Sequence, residues 1–335
     1  MTFKHLACLV ALAALGACSP AKPPQAANGL TSIKFATDWR AQAEQGGFYE
    51  ALATGEYKKR GLDVTIIQGG PAVNVPQLLA TNSIDMGIGS NSFIVLNLAA
   101  ANAPAKAVMA AMQSDPQVLI AHPDAGIRTL ADVKGHPVLL ADAAITGFWA
   151  WLKAKYGFTD DQVRKYDLSS APFLADKKAV QEGYLTSEPY TIEKTTGMKP
   201  AVFLLADYGY PGYAAMVLAS NKLIASNPAA VKAFVDGTAA GWKAYLYGDP
   251  KPADAIILKA NPEMTPDMLD QARAKMRDKG IVLSGDAKAQ GIGAMTDARW
   301  AQFVAMASTQ LPNDYPKTTD YRSAYTLQFL PTGVK

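Results

Sequence analysis

From residue 32 onward the chain alternates short β-branched runs with helical stretches of ten or so residues, and this alternation restricts the fold more than any other feature. Residues 32–37 form a strand candidate, and residues 47–60 a helix with Phe48, Ala51 and Leu52 on one face and Gly61 as its stop. Leu62, Val64 and Ile66 alternate with Asp63 and Thr65, the period of two that marks a strand. A helix opened by Pro71 and running to about Leu79, a strand over 84–88, a helix over 91–101 and a strand over 106–112 follow. Strands separated by helices of this length pair in parallel, because a parallel pair needs a crossover of a dozen or so residues. Ligands of such sheets bind beyond the carboxyl ends of the strands.

A second block starts near Gln117, with an apolar run over 117–121. Thr129 with Asp132, and Thr159 with Gln162, have capping-box spacing. Strands are expected over 137–141, 201–205 and 213–219, and helices over 146–156 and 176–184. The strand at 213–219 would carry the chain back to the first block. From Asn227-Pro228 the chain reads as helical, with Val231, Phe234, Val235, Trp242, Tyr245 and Leu246 on one face up to Gly248. A further helix runs from Thr265-Pro266 to Gly280, and Trp300, Phe303, Val304 and Ala307 mark another. At roughly 150 residues per domain the length suggests about two domains. The expected fold is α/β with two lobes, each a mostly parallel sheet flanked by helices. The first lobe takes residues 32–117 plus 214–335 with the C-terminal helices, and the second takes 118–213.

The first 17 residues read as a lipoprotein signal peptide: Lys4 and His5, then an apolar run of ten residues over 6–15, then Leu15-Gly16-Ala17-Cys18. That run is shorter than the ~20 residues needed to span a bilayer. Cleavage before Cys18 would leave its thiol for acylation, and residues 18–31, rich in proline and alanine, would tether the domain to the membrane. Residues 86–105 carry no charge, but Ser90, Asn91, Ser92, Asn97, Asn102 and Pro104 interrupt them, so they read as a strand end, a turn and a core helix.

Several chemistries are excluded by what the sequence lacks. A net charge of +3 gives no footprint for nucleic acid. Two cysteines and three histidines leave no Cys/His metal site and no disulfide scaffold. There is no GxxxxGK[ST] loop, HExxH helix or GxSxG elbow, and Gly87-Ile88-Gly89 lacks the third glycine of a dinucleotide loop. No catalytic residue, cofactor or metal is expected, and the chain is not expected to be an enzyme.

Three places look equipped for a ligand. Asp38-Trp39 follows the first strand, where an indole can stack on a ligand. Ser90-Asn91 and Thr146-Gly147 open helices after strands, with free N–H groups and hydroxyls. Glu188-Pro189-Tyr190 places a carboxylate before a proline, which favours extended geometry and a turn.

Asp38-Trp39, the run from Gly46-Gly47-Phe48-Tyr49 to Gly61-Leu62-Asp63-Val64, Gly69-Gly70-Pro71, Ile84-Asp85-Met86-Gly87 and Glu188-Pro189-Tyr190 together resemble the SsuA/thiamine-pyrimidine-synthase-like substrate-binding proteins. The resemblance covers about residues 31–249. It implies a type II periplasmic-binding-protein fold and a monomer that hands a small molecule to an ABC permease and its ATPase. Members bind alkanesulfonates, thiamine-related pyrimidines and other small aromatics. In the pyrimidine binders, the positions of Trp39, Glu188 and Tyr190 hold the ring. Where the family usually has proline and asparagine after Asp-Trp, Arg40-Ala41-Gln42 stand here. Fungal pyrimidine synthases of the family carry a cysteine-rich motif and a reactive histidine, whereas only Cys18 would remain in this chain after processing. The expected ligand is a thiamine-precursor pyrimidine or similar heteroaromatic; the alternatives are an alkanesulfonate-type anion or, less favoured, a pyrimidine-synthase-like reaction.

Overall fold

The structure, a computed structural model, describes residues 29–70, 73–145, 147–167, 169–331 and 333. The chain begins β1 (Thr31–Ala36), α1 (Gly46–Ala53), β2 (Leu62–Ile67), α2 (Val75–Ala80), β3 (Met86–Asn91), α3 (Ser92–Ala100) and β4 (Ala105–Met112). It continues through β5 (Gln117–Ala121), β6 (Val138–Leu140), α4 (Asp142–Ile145), α5 (Phe148–Tyr156), β7 (Val163–Lys165), α6 (Ala171–Ala175), β8 (Val180–Tyr184), α7 (Glu188–Thr196) and β9 (Ala201–Leu204). It returns by β10 (Ala214–Ser220) and ends in α8 (Asn221–Ser226), α9 (Pro228–Tyr247), α10 (Lys251–Ala260), α11 (Pro266–Asp278), α12 (Gly285–Gln290) and α13 (Asp297–Gln310).

Two sheets of five strands result, in the orders β2-β1-β3-β10-β4 and β7-β6-β8-β5-β9. The chain has the α/β, two-lobed type II fold. β1 pairs in parallel with β2 and β3, and β6 with β7 and β8. β5 and β10 run antiparallel to both of their neighbours. These are the strands reached just after the chain crosses between lobes. They enter their sheets from the cleft, where the parallel strands leave, so their direction is reversed.

Local preferences hold in part. Thr129 with Asp132 and Thr159 with Gln162 form capping boxes, each opening a 3-10 turn. The helix expected from Pro71 starts later, at Val75, where Asn74 Oδ1 accepts from Gln77 N at 3.0 Å. The helix expected over 176–184 is instead a turn after α6 followed by β8. β8 lies inside the second sheet between β6 and β5, and the pairing of its polar Gln181-Glu182-Gly183 overrides local helix preference.

α1 packs on α9 at a crossing that side chains could not enter. A Cβ on Gly46 would stand 2.1 Å from the Tyr245 ring, one on Gly47 2.2 Å from Trp242, and one on Gly241 2.2 Å from the Gly47 carbonyl oxygen. Phe48, Phe234, Trp242 and Tyr245 fill the space around the crossing. The family-like Gly-Gly pair therefore serves helix packing, and it anchors the element that follows the β1 loop.

Candidate functional site

A cleft of about 270 Å³ opens between the two lobes. The first lobe contributes Asp38 and Trp39 from the loop after β1, Ser90 and Asn91 from the end of β3, and Ala215 from the start of β10. The second contributes Glu182, Tyr184 and Glu188 around the end of β8, with Phe148, Tyr166 and Tyr210. The position follows the rule for open α/β sheets, at the carboxyl ends of the parallel strands.

Thr37, fully buried, holds the β1 loop in place. Its Oγ1 donates to Trp39 O at 2.7 Å and accepts from Gly69 N at 2.9 Å. A Cβ on Gly69 would lie 2.2 Å from Thr37 O, so only glycine lets this strand end approach. Trp39 is left free to stack. The other tryptophans each meet a ring of the protein, but Trp39 meets none among the described residues.

Among the described residues, the wall carries five carboxyl groups, from Asp38, Glu44, Asp115, Glu182 and Glu188, and no Lys, Arg or His. Glu182 Oε1 accepts from Ala141 N at 2.9 Å, Glu188 Oε2 from Tyr184 N at 2.7 Å and Asp115 Oδ1 from Gln117 N at 3.1 Å. Glu44 accepts from Thr186 Oγ1 of the opposite lobe. Burial pushes every one of the five up from its ordinary value. Asp115 rises to about 7 and Glu182 to about 8. Negative neighbours add to the rise: Asp38 for Glu44, Glu188 for Glu182, and Glu44 for Glu188. Ser90 and Gln45 pull the other way at Asp38. Asp38 Oδ1, Gln45 Oε1, Gln117 Oε1 and Glu182 Oε2 are buried acceptors with no donor from the protein.

Of the residues singled out from sequence, Asp38, Trp39, Ser90, Asn91 and Glu188 meet in this cleft. Asn91 is partly occupied, since its Oδ1 caps α3 through Phe93 N at 3.0 Å. Thr146 and Cys18 lie outside the described residues. Tyr190 stands outside the cleft: its hydroxyl donates to Asp267 Oδ2 on α11, which Lys194 also reaches. The residue before a proline favours extended geometry, and the resemblance implies that Glu188 and Tyr190 share the ligand. Proline is instead accommodated in the first turn of α7, and two residues along a helix stand about 200° apart. Sequence reasoning missed Glu44, Asp115 and Glu182. The one local signal was Asp115-Pro116 at a chain crossing, a carboxylate held stiffly between lobes.

Because Tyr190 ties α7 to α11 rather than to ligand, Tyr190→Phe should change affinity by less than about fivefold, the ceiling for an exposed pair worth about 1 kcal/mol or less. Titration calorimetry of the variant checks this; a larger loss would return Tyr190 to the site.

The NMT1/THI5-like family model matches residues 42–253, more than half of the chain. The chain belongs to the NMT1/THI5-like family. The match takes in Glu44, Asp115, Glu182 and Glu188 but begins after Asp38 and Trp39. Among solved structures, the periplasmic aliphatic sulphonate binding protein SsuA from Escherichia coli superposes with a TM-score of 0.69 at 16% identity, over 91% of this chain and 94% of that one. The alkanesulfonate-binding protein SsuA from Xanthomonas axonopodis pv. citri, bound to MOPS, gives 0.65 at 15% identity, over 91% and 99%. The desulfurization enzyme DSZB gives 0.56 at 13% identity, over 89% and 97%. No curated protein matches the chain by sequence. At these identities the likenesses concern the fold, which this chain shares with periplasmic binding proteins and with at least one enzyme.

Proposed function

We propose that the chain is the solute-binding component of an ABC importer, working in the periplasm from a lipid anchor on Cys18 and delivering a small nitrogen heteroaromatic, of the thiamine-precursor pyrimidine type, to the permease. Support for the transport role comes from the family and from the fold shared with periplasmic binding proteins. The observation that carries the ligand class is the cleft wall, which among the described residues has five carboxyl groups, no cationic side chain, and aromatic rings from both lobes. A sulfonate would bring a negative charge and acceptor oxygens to a wall of acceptors, and like-charge juxtaposition costs several kcal/mol. An aminopyrimidine instead offers N–H donors at its edge and a π-face to Trp39. The binding role is preferred to an enzyme because, among the described residues, no Cys or His lines the cleft to supply the thiol and imidazole that the pyrimidine-synthase reading would require.

Ligand bridging the two lobes favours the closed state by its differential affinity for it. Calorimetry with a hydroxymethyl-substituted 4-aminopyrimidine and with ethanesulfonate tests the reading. The pyrimidine should bind and ethanesulfonate should give no heat; tight ethanesulfonate binding with no response to the pyrimidine would overturn the choice.

A further inference from the structure

We propose that this cleft takes its ligand as a nitrogen cation with N–H donors directed at both lobes, and that capture expels a proton held among the cleft carboxyl groups. The inference deepens the heteroaromatic reading and rests on the same cleft, but it concerns charge and protons rather than the identity of the ring.

The first line of argument is hydrogen bonding. Buried acceptors without donors cost free energy unless a ligand or water satisfies them. Here they are divided between the walls. Asp38 Oδ1 and Gln45 Oε1 stand on the first lobe, and Gln117 Oε1 and Glu182 Oε2 on the second. Gln45 and Glu182 are only 6% and 7% exposed. A ligand that satisfies both sides carries N–H groups on opposite edges, as amidinium and protonated aminopyrimidine groups do.

The second line is charge. Two unit charges 6 Å apart repel by about 3 kcal/mol at an effective dielectric of about 20. Five carboxyl groups around one cleft of about 270 Å³ therefore do not all ionise without a counter-charge. Among the described residues, no cation lines the cleft to supply one. Beside Glu182 stand Glu188 and Tyr166; beside Asp115 stand Tyr184 and Tyr210; beside Glu44 stand Asp38 and, further back, Tyr245. Arg273 reaches Tyr245, but its guanidinium is already paired with Asp254 and Asp270. His122 is turned to the Phe173 carbonyl at 2.7 Å. The acids are also not grouped as a metal site, since no three described His, Cys, Asp or Glu residues could hold an ion together. An organic cation supplies the missing charge over a larger area, and aromatic faces add cation–π attraction. The raised values of Asp115 and Glu182 agree with protons being held there near neutral pH.

The exchange balances simply. The carboxylic acid loses its proton to buffer, the ligand cation takes up the charge of the carboxylate, and no covalent bond to the ligand changes.

Benzamidinium chloride is the probe, because it is planar, permanently charged and rich in N–H donors. Calorimetric titration at pH 7 in phosphate and in Tris, which differ in ionisation heat, counts the protons released. About one proton should leave per benzamidinium bound, and affinity should rise by up to tenfold per pH unit from pH 6 toward pH 7–8. Glu182→Gln should lower the proton count, and its melting temperature without ligand should fall less than that of wild type between pH 5.5 and 8.5. The sign follows from a raised folded value: the stability is present at low pH and lost as pH rises through it. Benzamidinium binding with identical heats in both buffers, or no binding of benzamidinium at all, overturns the inference. Failure of the aminopyrimidine alone would overturn the ring assignment and leave this exchange standing.

Discussion

Trp39→Ala should weaken binding of the aminopyrimidine by roughly 5- to 150-fold, because an aromatic platform under a base is worth about 1–3 kcal/mol. The indole lines the cleft and stacks on no other ring among the described residues, so its face is available to ligand. The backbone that carries it is held by Thr37. The melting temperature without ligand should therefore move little. Calorimetry and one thermal melt separate the two roles. Unchanged affinity with a sharply lower melting temperature would make Trp39 a structural residue and move the ligand elsewhere in the cleft.

Gly241→Ala should instead act on stability, lowering the melting temperature by roughly 3–10 °C for a cost of about 1–3 kcal/mol. In an ordinary helix interior this substitution would stabilise by up to about 1 kcal/mol. Here the new methyl would meet the Gly47 carbonyl oxygen at 2.2 Å and the Ala51 amide nitrogen at 2.7 Å. Both are backbone atoms, so no rotamer relieves the clash and α1 must move away from α9. Gly70→Ala is the control, since a Cβ there meets nothing within 4 Å and should leave the melt close to wild type. Equal melts for the two variants would mean that the crossing is looser than described.

Much of the frame was legible before any coordinates, because it rests on local periodicity. Leu62, Val64 and Ile66 do face the core on alternate positions of β2, and Trp300, Phe303 and Ala307 line the buried face of α13. Where local composition and tertiary pairing disagreed, pairing won. Gln181, Glu182 and Gly183 look unlike a buried strand, yet β8 gains two neighbours in the second sheet. The same misreading concealed Glu182, since a glutamate on an assumed surface helix attracts no notice.

The sequence by itself determined the alternation of strands and helices and the place of Asp38-Trp39 after the first strand, since each depends on residues close together in the chain. Only the tertiary structure decided which acids share a space. Asp38, Glu44, Asp115, Glu182 and Glu188 come from separate segments of both lobes, and the chain must cross from the first lobe to the second before they line one cleft. It also decided that Glu188 turns inward while Tyr190 turns toward α11, because a helical rather than extended backbone carries them. Charge crowding and burial are properties of distance in space, and no local pattern in the chain encodes them.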